Sequence, residues 1–212
     1  MARPRTTSDE AILRAAGRAI GGHGPAGLTL AAVAAEAGLS PAALVQRFGS
    51  KRGLLLAFAE WSASGTGEVF RRARQRHDAP LPALQQALTE LASTMRTPEE
   101  AANGLAFLQL DLTDPEFRAH AVTQARRMRE EITGLLTEAV ATGGLTGDAD
   151  PVRLARAVQV AYNGTLILWA LTGEGDLVHA LRADIDHLLC VHRPDGLDAL
   201  DHTDDPPRRS TP

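Results

Sequence analysis

The sequence is poor in the residues that usually tie a small protein together by covalent or metal chemistry. Cys190 is the only cysteine among 212 residues, which excludes a disulfide framework within one chain and a thiolate-rich zinc site. Aromatic residues make up 4%, so Ala, Leu and Val must build any core. No stretch approaches the ~18 uninterrupted apolar residues of a membrane span, and the opening MARPRTTSDE lacks the apolar middle of a secretory signal. A membrane partner is therefore not expected, and the expected location is the cytoplasm. GxSxG, HExxH and a phosphate-binding glycine loop are all missing, and the histidines stand apart from any nucleophile. No catalytic residue, no enzyme activity and no cofactor are expected. Asp184, His187 and Cys190 share a helix face, but a mixed set without a stronger spacing rule does not make a metal site.

What is present is globular. Hydrophobic residues reach 44% and charged residues 23%, enough for a sizeable core. The formal net charge is −4, and it is unevenly spread. Residues 1–60 carry seven basic side chains against four acidic ones, a balance of +3, and the rest carries −7. A basic first quarter on an acidic body is the pattern expected when one end meets phosphate. Lys51 is the only lysine; the other basic residues are arginines.

The punctuation predicts an all-α chain of about nine helices. Ser8 opens the first, with Asp9 and Glu10 in its first turn, and Gly21, Gly22, Gly24 and Pro25 are expected to end it. Thr29 caps LAAVAAEA, which stops at Gly38. Ser40-Pro41 opens PAALVQRF, and Ser50 caps a fourth helix running to about His77. Pro80 and Pro82 lead into a helix ending near Arg96. Thr97 with Glu100 forms a capping-box pattern for a helix to Leu112. Asp114-Pro115, Asp150-Pro151 and Asp176 open the last three. The segment 193–212, rich in Pro, Asp, Thr and Arg, reads as a disordered tail. No period-two alternation suggests a sheet.

The informative stretch is 29–58, TLAAVAAEAGLSPAALVQRFGSKRGLLLAF. Two short helices flank a tight AGLS turn, and Leu30, Val33, Ala34, Leu39, Leu44 and Phe48 fall where they can share one core. This is the arithmetic of a helix-turn-helix, whose second helix lies in the DNA major groove. Ala37 to Lys51, A-G-L-S-P-A-A-L-V-Q-R-F-G-S-K, resembles the TetR family of transcriptional regulators, and AILRAAGRAIGGHG resembles that family's first helix. The specific match covers about residues 8–60. The resemblance implies a three-helix DNA-binding domain over 1–50 and a larger helical effector-binding and dimerisation domain over 51–192.

It also implies DNA contacts. Thr29 and Ser40 cap helices whose free N–H groups can hold phosphates. Pro41, Ala42 and Ala43 offer small apolar surfaces to thymine methyls, Gln46 an amide to adenine, and Arg47 a guanidinium to guanine or phosphate. Lys51 matches the family lysine that contacts the DNA backbone. Arg3 and Arg5 form a basic arm for a minor groove or phosphate. The family's usual tyrosine is replaced by Val45, which has no hydroxyl to donate and removes one positioning contact.

The helix PVRLARAVQVAYNGTLILWALT, from residue 151, carries two apolar stripes where a surface helix needs one. Leu154, Val158, Ala161, Thr165 and Leu168 form the first, with Gly164 allowing a close backbone approach. Ala155, Tyr162, Leu166 and Trp169 form the second. The first, with Val178, Leu181, Ile185 and Leu188 of the last helix, is the expected dimer interface, since the family pairs its last two long helices across a two-fold axis. Candidate effector-lining residues are Trp61, Met95, Phe107, Gln109, Met128, Tyr162, Asn163 and Trp169. Asn163 stands out because a buried amide needs a partner.

The reading is a homodimeric transcriptional regulator of the repressor type. It binds a palindromic double-stranded operator and is released by a small apolar or amphipathic effector. The alternative is a helical binding module whose helix-turn-helix is architectural and has no operator.

Overall fold

The computed structural model describes residues 7–194. The arm residues Arg3 and Arg5, and all but the first two residues of the expected tail, lie outside the described residues. Among the described residues ten helices follow one another: α1 (Asp9–Gly27), α2 (Leu30–Ala37), α3 (Pro41–Phe48), α4 (Lys51–Arg76), α5 (Pro80–Ala92), α6 (Pro98–Leu105), α7 (Phe107–Thr113), α8 (Pro115–Ala141), α9 (Pro151–Thr172) and α10 (Leu177–Cys190). Among the described residues there is no strand, and no helix is long and apolar enough to cross a membrane.

The helix starts fall where the sequence puts them, because short polar side chains there satisfy backbone N–H groups that no helical carbonyl can reach. Ser8, Thr29, Ser40, Ser50, Thr97, Asp114, Asp150 and Asp176 each accept a hydrogen bond from a first-turn N–H. Three helix ends differ from expectation, each for a packing reason. Helix α1 passes through Gly21 and Gly22 and breaks only at Gly24. Helix α6 lies along it there, and Asn103 donates to the Gly21 carbonyl at 2.8 Å. Helix α5 stops at Ala92, short of Arg96. Just beyond, the Ser93 and Thr94 hydroxyls bond back to the carbonyls of Glu90 and Leu91 at 2.8 and 2.9 Å, a local alternative to the helical pattern. The single helix expected over 97–112 is two, α6 and α7, parted at Ala106. Its halves serve different cores: Ala101 is buried in the second core described below, whereas Phe107 packs against the first.

Two apolar clusters organise the chain. The N-terminal core joins Ile12, Leu13, Ala16, Ala19 and Ile20 of α1 with Val33 and Ala34 of α2, Leu44 of α3, and Leu54, Leu55 and Ala59 of α4. Phe117 of α8 completes it. The C-terminal core gathers Phe70 of α4, Leu84 and Leu88 of α5, Ile132, Leu135 and Leu136 of α8, Val158 and Trp169 of α9, and Leu181 and Ile185 of α10. The packing boundary thus falls inside α4, after Ala59, and not at residue 50, because the first turns of α4 close the N-terminal core.

Two glycines fix the geometry of the N-terminal module. Gly38 adopts φ 66°, where a side chain carries a steric cost. The N–H of Leu39 reaches the Ala34 carbonyl at 2.8 Å and that of Gly38 the Ala35 carbonyl at 3.3 Å, a Schellman ending. At Gly53, a Cβ would stand 2.0 Å from the Phe48 carbonyl oxygen, so α3 and α4 meet backbone to backbone. Gly53→Ala should therefore destabilise the protein by roughly 1–3 kcal/mol in chemical denaturation, although alanine is the better helix former. Gly65→Ala, whose Cβ meets nothing within 4 Å, should instead stabilise by up to about 1 kcal/mol.

Half-burial also leaves a titration signature on α7. Desolvation holds the Asp111 carboxyl up at about 6, against the opposing attraction of His120. The folded chain therefore retains a proton that the unfolded chain releases near pH ~4. Stability contributed by this group is present below that pH and is lost as pH rises through about 6. Asp111→Asn should raise the thermal midpoint at pH 7 relative to the parent and leave it nearly unchanged at pH 4.

Candidate nucleic-acid interface

The N-terminal module sorts its side chains by helix geometry. On α3, Leu44 is fully buried and Phe48 half-buried, so the opposite side of this helix must face outward. Pro41, Ala42, Val45, Gln46 and Arg47 are exposed, as are Thr29 and Ser40; Ala43 and Lys51 are half-buried. The structure thus brings Pro41, Ala42, Val45 and Gln46 onto one outward ridge, with small side chains at its N-terminal end. Val45, 47% exposed, offers a methyl surface there and no donor. The Thr29 and Ser40 hydroxyls accept from Ala32 N at 3.1 Å and Ala43 N at 3.3 Å.

Two cations of the module, Lys51 and Arg47, are braced from behind. The Lys51 ammonium donates to the Ala26 carbonyl at 2.9 Å, near the end of α1, where unpaired carbonyls favour positive charge. An ammonium has three protons, so two remain for another acceptor. Arg47 donates through Nη1 to the Thr7 carbonyl at 2.5 Å and to Asp9 Oδ1 at 3.2 Å. It ties the end of α3 to the entry of α1, a role not legible from local spacing because its partners lie 40 and 38 residues away.

Arg52 and its partners carry no local signal in the sequence, since they lie 62 and 64 residues apart. The Arg52 guanidinium bonds both Asp114 and Glu116, at the first turn of α8. Asp114 had been legible only as a helix cap. Its carboxyl is held below the ordinary carboxylate range, first by the hydrogen bond from Arg52.

The eight effector candidates do not converge. Met128, Tyr162 and Trp169 are buried in the C-terminal core with Met95 packed against it, whereas Trp61 and Phe107 pack against the N-terminal core. Gln109 and Asn163 are exposed, so the amide singled out for needing a partner faces solvent. Tyr162 has its phenol pushed well above the usual range by burial alone. Two clefts open elsewhere. One of about 620 Å³ lies along α8 by Arg126, Arg129 and Glu138, and one of about 450 Å³ lies between α4 and α8 by Arg71, Arg74 and Arg127.

Burial divides the expected dimer stripe. Leu154, Val158 and Thr165 of α9, with Leu181 and Ile185 of α10, are buried within the chain's own core and present no surface to a partner. Ala161, Gly164, Val178 and Leu188 are half-buried. At 3.6 residues per turn the two stripes of α9 are neighbours in one arc of about 160°, not opposite faces. The outward apolar face is made by Val160, Ile167, Leu168 and Leu171, which are 62%, 40%, 62% and 77% exposed. Of the expected set only Leu168 lies on it.

Comparison with known proteins places this architecture. Residues 12–58 match the bacterial regulatory proteins of the tetR family, and residues 80–190 match the C-terminal region of BetI-type transcriptional repressors. No curated protein matches significantly. Solved structures share the fold. A TetR transcription regulator from Haloarcula marismortui aligns with TM-score 0.73 and 20% identity, covering 87% of this chain and 97% of that one. The regulator FadR from Bacillus subtilis, in complex with stearoyl-CoA, aligns at 0.64 and 18%, covering 86% and 98%. SmeT, repressor of the Stenotrophomonas maltophilia multidrug efflux pump SmeDEF, aligns at 0.63 and 23%, covering 91% and 93%. With a helix-turn-helix core in its first quarter and a helical ligand-binding domain behind it, the chain belongs to the TetR family of transcriptional regulators.

Proposed function

We propose that the chain is a homodimeric repressor that leaves a palindromic operator when a small effector binds its C-terminal domain. The exposed ridge of Pro41, Ala42, Val45 and Gln46, with Lys51 beside it, carries this reading. A rigid apolar core presents a short helix whose outer face has no structural task of its own. Pro41 and Ala42 suit thymine methyls, Gln46 suits adenine, and Lys51 holds phosphate with the protons that Ala26 leaves free. Thr29, Ser40, Ala43 and Arg47 complete the proposed contact set. The DNA-binding unit extends to about Ala59, and the effector and dimer unit continues to residue 192. The proposed setting is the cytoplasm, where chromosomal DNA is reached directly.

One such module touches few base pairs, so useful specificity needs two copies on a two-fold operator. The apolar face of Val160, Ile167, Leu168 and Leu171 supports pairing through α9. An apolar or amphipathic effector fits the C-terminal core, where Met95, Met128, Tyr162 and Trp169 are the surviving candidates; the Bacillus subtilis neighbour was solved with an amphipathic molecule, stearoyl-CoA. The effector acts by preferring one spacing of the two recognition helices over the other.

A second reading, an architectural helix-turn-helix without an operator, draws support from Val45 and from the internal hydrogen bonds of Arg47 and Lys51. Fluorescence anisotropy with the duplex upstream of the gene separates the two. A repressor binds it far more tightly than a scrambled duplex, and equal affinities would sink the operator. Lys51→Ala should weaken binding to every duplex alike and lower the slope of log affinity on log salt by about one. Leu168→Glu with Leu171→Glu should convert the dimer to monomers in sedimentation and abolish operator binding. A dimer that survives both charges would move the interface elsewhere.

A further inference from the structure

Helices α4 and α8 meet at their first turns through one guanidinium. Arg52 places Nη1 2.8 Å from Asp114 Oδ2 and Nη2 3.2 Å from Asp114 Oδ1, a forked contact, and Nη2 also donates to Glu116. Its Cζ stands 5.2 Å from the centroid of the Phe117 ring, within cation–π range. Phe117 is 2% exposed and belongs to the N-terminal core although α8 otherwise packs in the C-terminal one. Its ring is edge-on to Phe107 at 5.6 Å, Phe107 meets Phe58 at 5.9 Å, and Phe58 meets Trp61 at 6.0 Å. In a chain with eight aromatic residues, half are spent on this junction.

Exposed ion pairs contribute little stability by themselves. A forked pair over a buried ring does something different: it sets the position of one helix on another. Between the two cores α4 runs Ser62-Ala63-Ser64-Gly65-Thr66-Gly67, in which every residue but Ala63 is a weak helix former. A displacement travelling along α4 must cross that stretch. A displacement of α8 reaches the first turn of α4, beside Lys51, directly.

We infer that Arg52 is a positioning residue that latches the DNA-binding unit to α8, giving the C-terminal domain a route to the recognition module that bypasses the middle of α4. The inference rests on the regulator reading for its purpose, but the latch itself is testable without DNA.

The two tryptophans make the test direct, since Trp61 packs on the N-terminal core and Trp169 lies in the C-terminal one. Trp169→Phe leaves Trp61 as sole reporter, and Trp61→Phe leaves Trp169. In thermal unfolding of the full chain, the two reporters should share one midpoint. Arg52→Gln should lower the Trp61 midpoint below that of Trp169 by about 4–8 °C. Asp114→Asn with Glu116→Gln, which keeps the cap acceptor of α8, should do the same, and all three substitutions together should add nothing further. A long non-specific duplex at low salt should raise the Trp61 midpoint in either background, and the Trp169 midpoint only where Arg52 is intact. Coincident midpoints in Arg52→Gln, or a Trp169 midpoint that follows DNA equally in both backgrounds, overturns the latch. Failure of the regulator reading looks different: DNA leaves Trp61 unmoved while Arg52→Gln still separates the midpoints.

Discussion

Helix α4 is packed at both ends. Leu54, Leu55 and Ala59 close the N-terminal core, and Phe70 and Ala73 sit in the C-terminal one. The outward ridge of α3 is oriented by Leu44 and by the backbone contact at Gly53, so it is held relative to α4. The recognition surface is thereby tied to whatever fixes α4 in the larger domain. Motion of α1–α3 away from the start of α4 is opposed by this packing, because it would expose Leu54 and Leu55.

The same constraint explains where the polar chemistry sits. Cations near the proposed DNA surface are each held from behind: Lys51 by the Ala26 carbonyl, Arg47 by Thr7 and Asp9, and Arg52 by Asp114 and Glu116. Pre-positioned charge loses less side-chain entropy when a phosphate arrives. The exposed ridge of Pro41, Ala42, Val45 and Gln46 is itself without charge, so in the proposed role its discrimination would depend on shape, methyl contacts and the single amide of Gln46.

The helix starts were legible because capping is local: a serine, threonine or aspartate finds its own N–H partners two or three residues ahead. The helix-turn-helix was legible for the same reason, since Gly38, Ser40 and Pro41 determine the turn within a few residues. Less legible was anything decided across the chain. Gly21 and Gly22 read as a helix end and remain helical because α6 packs beside them. The segment 97–112 reads as one helix and splits because its halves are claimed by different cores. The stripe proposed for dimerisation on α9 was real as a pattern. Its neighbours on the helix wheel turned it inward, and Val160, Ile167 and Leu171 were left outside.

The sequence by itself determined the all-helical class, the place of nearly every helix start, the recognition module and the family to which the chain belongs. These depend on interactions within a few residues, which survive in any global arrangement. The tertiary structure decided the packing boundary inside α4, the sorting of the effector candidates between two cores, the apolar face left exposed on α9, and the joining of Arg52 to Asp114, Glu116 and Phe117. Those outcomes depend on which surfaces compete for burial, and residues more than sixty positions apart cannot settle that competition until the chain has folded.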